Sequence, residues 1–200
     1  MEMKIEEIGG TSIEPTGGLS HLDILVAPMS YLANIAEVPA LDSSNVLSTA
    51  SLAVVTGDHV FKDGFGFTLL RGIQDKNGLE SNLIGDQKQA FENKVTVVVE
   101  GTDPAVLGAR RLYKGKRPLL VLVREAGSGV YRQLGHTKYP ATYSEGASKI
   151  APEYEGENSC TFIFMDKNIV EAPIYRGAIV MQADLSAPVP PVAPRPKPKN

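Results

Sequence analysis

Two hundred residues with 42% apolar and 22% charged content suit one domain, and a formal charge of −3 argues against a dedicated nucleic-acid binder, which carries a basic patch or a strongly basic domain. One cysteine, Cys160, excludes an intramolecular disulfide, and no apolar run approaches the ~20 residues that a bilayer-spanning helix needs. The acidic, polar start MEMKIEEIGG does not read as a signal peptide, so the chain is expected in a cytosol.

Residues 1–20 read as a flexible arm, because four glycines, Pro15 and two threonines leave no apolar period. LDILVA (22–27) is a short strand candidate ended by Pro28. SYLANIAEVPA reads as a helical turn or an irregular connection, and NVLSTASLAVVTG (45–57) reads as strand. Asp63-Gly64 and Asn77-Gly78 are turn signals, since both residues of each pair tolerate positive φ. Between them Phe65, Phe67 and Leu69 alternate with Gly66, Thr68 and Leu70, the period of a half-buried strand. NKVTVVVEG (93–101) is dense in β-branched valines and is the clearest strand in the chain.

The period then changes. Thr102 or Asp103 stands where a helix cap is needed, Pro104 suits the first helical position, and Gly115 is a natural terminator. This predicts one helix of about ten residues. PLLVLV and VYRQLG follow as two strands, with Glu125-Ala-Gly-Ser-Gly129 between them. A dinucleotide fingerprint would need a third glycine where Arg132 stands, and a helix after it. No Gly-Lys-Ser/Thr occurs either, so Gly127-Ser128-Gly129 is a hairpin turn and not a phosphate loop. Residues 136–158, rich in Tyr, Pro and Gly, read as a long exposed loop. CTFIFMD and APIYRGAIVMQ are the last two expected strands, with Pro173 marking an edge. From Ala187 the chain becomes APVPPVAPRPKPKN, six prolines in fourteen residues, which favours extended polyproline II and cannot join a sheet. Its three cations follow a body of 17 basic against 23 acidic residues, so the tail could lie on an acidic neighbour. Its Pro-x-x-Pro spacings lack the usual flanking cation, so a solvated tail is preferred over an SH3-type ligand.

Chemistry is sparse. His21, His59 and His136 form no metal-binding spacing. Asp75-x-Asn77-Gly78 opens like a calcium loop, but the later oxygen ligands fall out of register. Asp86 and Glu92 read as solvated loop carboxylates, and Cys160 as a small buried hydrophobe. No catalytic, cofactor-binding or metal-binding residue is therefore assigned, no cofactor is expected, and the chain reads as a non-enzyme. A composite site using His59 or His136 is the remaining enzyme reading.

The expected architecture is mainly β: a β-sandwich or open β-barrel with one flanking α-helix over residues 21–186, a flexible N-terminal arm (1–20) and a Pro-rich basic C-terminal tail (187–200). In the order and texture of FENKVTVVVEGTDPAVLGARRLYKGKRPLLVLVREAGSGVYRQLG (91–135), with GFGFTLL before it and APIYRGAIV after it, the chain resembles virion structural proteins of tailed bacteriophages, in particular tail tube proteins. The resemblance spans about residues 21–182. It implies rings of commonly six identical subunits stacked into a tube that conducts DNA, contacts with other virion proteins, no membrane, and a virion location after synthesis in the bacterial cytoplasm. An acidic body would keep DNA from sticking to such a passage. The alternative is a capsid decoration or adaptor module that binds through the Pro-rich tail.

Overall fold

The computed structural model describes residues 17–40, 48–153 and 155–182. The elements run β1 (Leu19–Pro28), β2 (Leu32–Asn34), β3 (Val54–Val55), β4 (Val60–Phe61), β5 (Thr68–Leu70), β6 (Gly78–Ile84), β7 (Ala90–Glu100), α1 (Pro104–Tyr113), β8 (Leu119–Glu125), β9 (Tyr131–Leu134), β10 (Thr142–Lys149), β11 (Ser159–Asn168) and β12 (Ile174–Tyr175). Two sheets dominate: six strands in the order β3-β12-β9-β8-β1-β5, and four in the order β10-β11-β7-β6. Neither closes into a barrel, so the sandwich is the architecture and α1 is the one α-helix among the described residues.

The main core lies between the sheets. Ile24, Val26, Val121 and Val123 of the larger sheet meet Val95, Val97, Phe162 and Phe164 of the smaller one. Alternation along β7 and β11 sends every second side chain inward, as a half-buried strand requires. The helix adds Val106, Ala109 and Tyr113, and the Tyr113 ring meets Phe164 edge-on at 6.1 Å. A second core covers the opposite face of the larger sheet, where Leu25, Leu120, Leu122 and Tyr175 pack with Leu32, Val55 and Phe67. This explains the unbroken apolar run at the start of β8: Leu119–Val123 are all fully buried because both faces of that strand are covered.

Several sequence expectations hold. β1, β7 and β11 contain the predicted strands, α1 has the predicted length, and β8 and β9 form the predicted hairpin around residues 126–129. Asp103 is the helix N-cap, yet its side chain makes no capping hydrogen bond. Gly115 follows the helix at φ +80°.

Others need correction. The predicted strand over 45–57 is a 3-10 turn (Ala50–Ala53) followed by only two strand residues, and 45–47 lie outside the described residues. The strand expected at Phe65–Leu69 is Thr68–Leu70, preceded by a bridge from Phe67 to Met181. The turn expected at Asn77-Gly78 sits at Gln74–Asp75, with Asp75 at φ +60°, and Gly78 opens β6. Asn77 instead uses its amide to join segments: Nδ2 donates to Ile73 O at 2.7 Å and Oδ1 accepts from Val98 N at 3.1 Å. Residues 136–158 are not one loop, since β10 pairs with β11 along its length. In the last expected strand, only Ile174–Tyr175 are strand, and β12 lies between β9 and β3 rather than at an edge. Leu19 and Ser20, expected in the arm, already belong to β1, while 1–16 and the Pro-rich tail lie outside the described residues.

Candidate functional site

Ionisable side chains are scattered or committed to structure. His59 is buried in the second core, stacked on Tyr175 with ring centroids 4.4 Å apart. Its Nδ1 accepts from Ala36 N at 3.1 Å, so Nε2 carries the proton. Burial pushes the imidazole down to about 4, against the opposing pull of Gln133 and Asp58. The neighbouring donor His59 Nε2 and acceptor Gln133 Oε1 are both buried without a hydrogen-bond partner. His136 stands apart, 3.3 Å from Glu37 on the surface, and His21 lines a separate groove beside the start of α1.

A hub of buried polar groups joins the lower ends of the sheets. Asp166 accepts from Asn93 Nδ2 at 2.8 Å and from Gly135 N at 2.7 Å, and Asn93 Oδ1 accepts from Ser81 Oγ and Ala172 N. Burial raises the Asp166 pKa, and these hydrogen bonds and the charge of His136 oppose the rise. These hydrogen bonds tie β6, β7, β11 and the segments at Gly135 and Ala172 together.

Cys160 is fully buried, as the sequence suggests. Arg110 reaches over it from α1, donating to Tyr143 OH at 2.9 Å and to Ser148 Oγ on β10. The guanidinium thereby latches the helix to the outer strand of the smaller sheet. Of the calcium-like Asp75-x-Asn77-Gly78, only Gly78 is in β6; Asp86 lies exposed in the turn after that strand, as expected, whereas Glu92 lies on β7 with Lys167 at 3.8 Å and not in a loop. Among the described residues no group of three or more metal-ligating side chains converges, and no helix is long and apolar enough to cross a membrane.

An apolar concavity of about 670 Å³ is lined by Val38, Leu52, Phe91, Tyr139 and Val170, with the buried Gln133 also on its wall. Residues 41–47, which connect two of its walls, lie outside the described residues. His59 does not line it, so the two histidines of the composite-site reading are not gathered there.

What the fold leaves open is backbone. Both borders of the smaller sheet, β6 and β10, have no strand on their outer side among the described residues. β6 runs seven residues, pairs with β7 in unbroken register, and contains no proline or lysine. β10 runs eight residues with a bulge between Tyr143 and Glu145. Its residues Ser144–Lys149 are all exposed. Long unshielded edges are templates for pairing with another strand; bulges and charges blunt them. β6 has almost none of that protection, and β10 only part of it.

The sequence signal for these two strands was faint. In β6 half-buried Leu79 and Ser81 alternate with exposed Glu80 and Asn82, but Leu83 is exposed as well and the polar content resembles a loop. β10 holds no large aliphatic residue. At Gly146 an added β-carbon would collide with the Tyr143 ring, so a residue that reads as a strand breaker is the one that lets the aromatic cover the strand.

No family model, curated protein or solved structure matches this chain.

Proposed function

We propose that the chain is a self-assembling virion structural protein, most like a tail tube subunit, whose copies join through the borders of the smaller sheet into a ring around a DNA passage. One observation carries the reading: among the described residues the four-stranded sheet ends on both sides in a long unpaired edge, β6 and β10. Pairing β6 of one copy with β10 of the next is a heterologous contact that extends the sheet and closes when the rotation per copy divides a full turn. Closure satisfies every edge amide and removes the aggregation hazard of a lone subunit.

The exposed face of that sheet would line the passage. It carries Glu80, Glu92, Glu100 and Glu145 against Lys94, Lys149 and Lys167, and Glu80 faces Lys94 across the strands. The charges nearly cancel, so phosphate is neither held by a basic surface nor driven off by a uniformly acidic one. This refines the expectation of an acidic lumen.

Negative-stain microscopy and native mass spectrometry of the purified chain test the reading. Closed rings of one fixed copy number are expected. Introducing a charge on the free edge with Leu83→Lys, at a side chain already half exposed, should abolish rings while leaving the fold intact by circular dichroism. A chain that shows no ring at high concentration, or rings indifferent to this change, would rule the reading out.

A further inference from the structure

The point where the described chain stops and the apolar concavity lie at the same end of the larger sheet. Gln182 N donates to Phe67 O, and Gly66 N donates to Gln182 Oε1 at 3.0 Å, so the chain is pinned at Gln182. Phe67 precedes β5, whose Thr68 pairs with Val26, and two residues on Pro28 pairs with Leu119. Gly135, on the wall of the concavity, packs against Leu119 and Ala141. Three strand spacings, from β5 through β1 and β8 to β9, separate the two points, roughly 15 Å. Residues 183–200 follow Gln182 and lie outside the described residues. Residues 183–186 can span about 14 Å, and those from Ala187 onward about 43 Å as polyproline II, so the prolines reach the concavity of their own copy.

Tail and concavity also match in chemistry. Polyproline II repeats every three residues, which puts Pro188, Pro191 and Pro194 on one stripe beside Val189 and Val192. Such a stripe docks in aromatic-lined grooves, because it is already stiff and loses little entropy on binding. Phe91 and Tyr139 supply rings to the concavity, and Val38, Val170 and the exposed Ile169 supply aliphatic wall. Polyproline II makes no internal hydrogen bonds, and the Tyr139 hydroxyl is a donor for its free carbonyls. The cations Arg195, Lys197 and Lys199 come after the apolar stripe. On the wall, Glu171 is exposed with no ion pair among the described residues, but Lys138 opposes it and Glu37 is engaged with His136 and Thr137. Apolar contact therefore carries the fit, and charge adds little.

We propose that residues 188–194 dock in this concavity of their own copy, in place of the solvated tail expected from sequence. Docked there, the proline stripe covers the apolar wall and is withheld from other partners. The contact uses neither border of the smaller sheet and does not depend on self-assembly.

Amide NMR spectra of the full chain test the docking, recorded in the Leu83→Lys background so that ring formation does not interfere. Pro188→Gly, Pro191→Gly and Pro194→Gly together should shift the signals of Tyr139, Ile169 and Val170 and leave those of the β7 and β11 core in place. A synthetic peptide of residues 187–200 should bind this triple-glycine chain about tenfold or more tighter than the chain with its prolines, whose own tail competes at an effective concentration of about a millimolar. Tyr139→Ala, at an exposed side chain, should weaken the peptide about tenfold in the triple-glycine chain with circular dichroism unchanged. Cavity signals that ignore the glycines, or peptide binding that ignores Tyr139→Ala, would overturn the docking. A shift that grows from micromolar to hundred-micromolar protein would overturn it in favour of a neighbouring copy as the tail's seat. Peptide that binds both chains equally would show the tail free in its own copy and overturn it as well. Rings formed or missing in the parent chain bear only on the edge-pairing reading.

Discussion

Single residues in this protein carry stability more than chemistry. His59 is held neutral in an apolar pocket, with its pKa depressed to about 4 against an ordinary value of 6.5. Between those values the unfolded chain binds the extra proton and the folded chain does not. Stability is therefore complete above about pH 6.5 and falls as pH drops toward 4, by about 3 kcal/mol from this group. Urea titrations across pH 4–7 should show the loss, and His59→Gln should flatten it over that window. Gly135 is a second such point. It holds φ +90°, and an added β-carbon would lie 2.6 Å from Leu119 O and 2.7 Å from Ala141 N. Its amide also feeds Asp166. Gly135→Ala should cost about 2 kcal/mol or more, read as a lowered denaturation midpoint, because both the backbone conformation and the space exclude a side chain.

At the scale of elements, burial explains which strands were readable. β7, β8 and β11 place large apolar side chains in the core between the sheets, so their sequences are loud. Phe162 is fully buried between Phe164 and Tyr143, and Phe162→Ala should cost about 3–5 kcal/mol in equilibrium unfolding, as core aromatics do. The latch of α1 is lighter. Arg110→Ala removes hydrogen bonds at a half-buried site and should cost about 1 kcal/mol, with faster amide exchange confined to α1 and β10. β6 and β10 were silent because an edge strand has one neighbour and little to bury. Ladder hydrogen bonds to β7 and β11 hold them in place, and backbone groups are common to every sequence.

For the whole molecule, the consequence is asymmetry. Among the described residues, one sheet is covered on both faces, while the other is covered on one and open along both borders. Under the proposed self-assembly, association would satisfy those borders with protein. The assembly predicted above should therefore raise apparent stability with concentration. The midpoint of thermal unfolding should climb between micromolar and hundred-micromolar protein, roughly as mass action requires, and the climb should vanish in Leu83→Lys.

Sequence alone determined the β class, the place and length of α1, the hairpin that displaced a phosphate-loop reading, and the strands at the heart of β7 and β11. Each rests on local physics: a period of two or 3.6, a proline at a helix start, glycines in a turn. Only the tertiary structure decided that 142–149 is strand rather than loop, that β8 is covered on both faces, and that His59 is buried beside Gln133. Those outcomes depend on which segments meet across the fold, and contacts between residues distant in sequence leave no periodic trace within either segment.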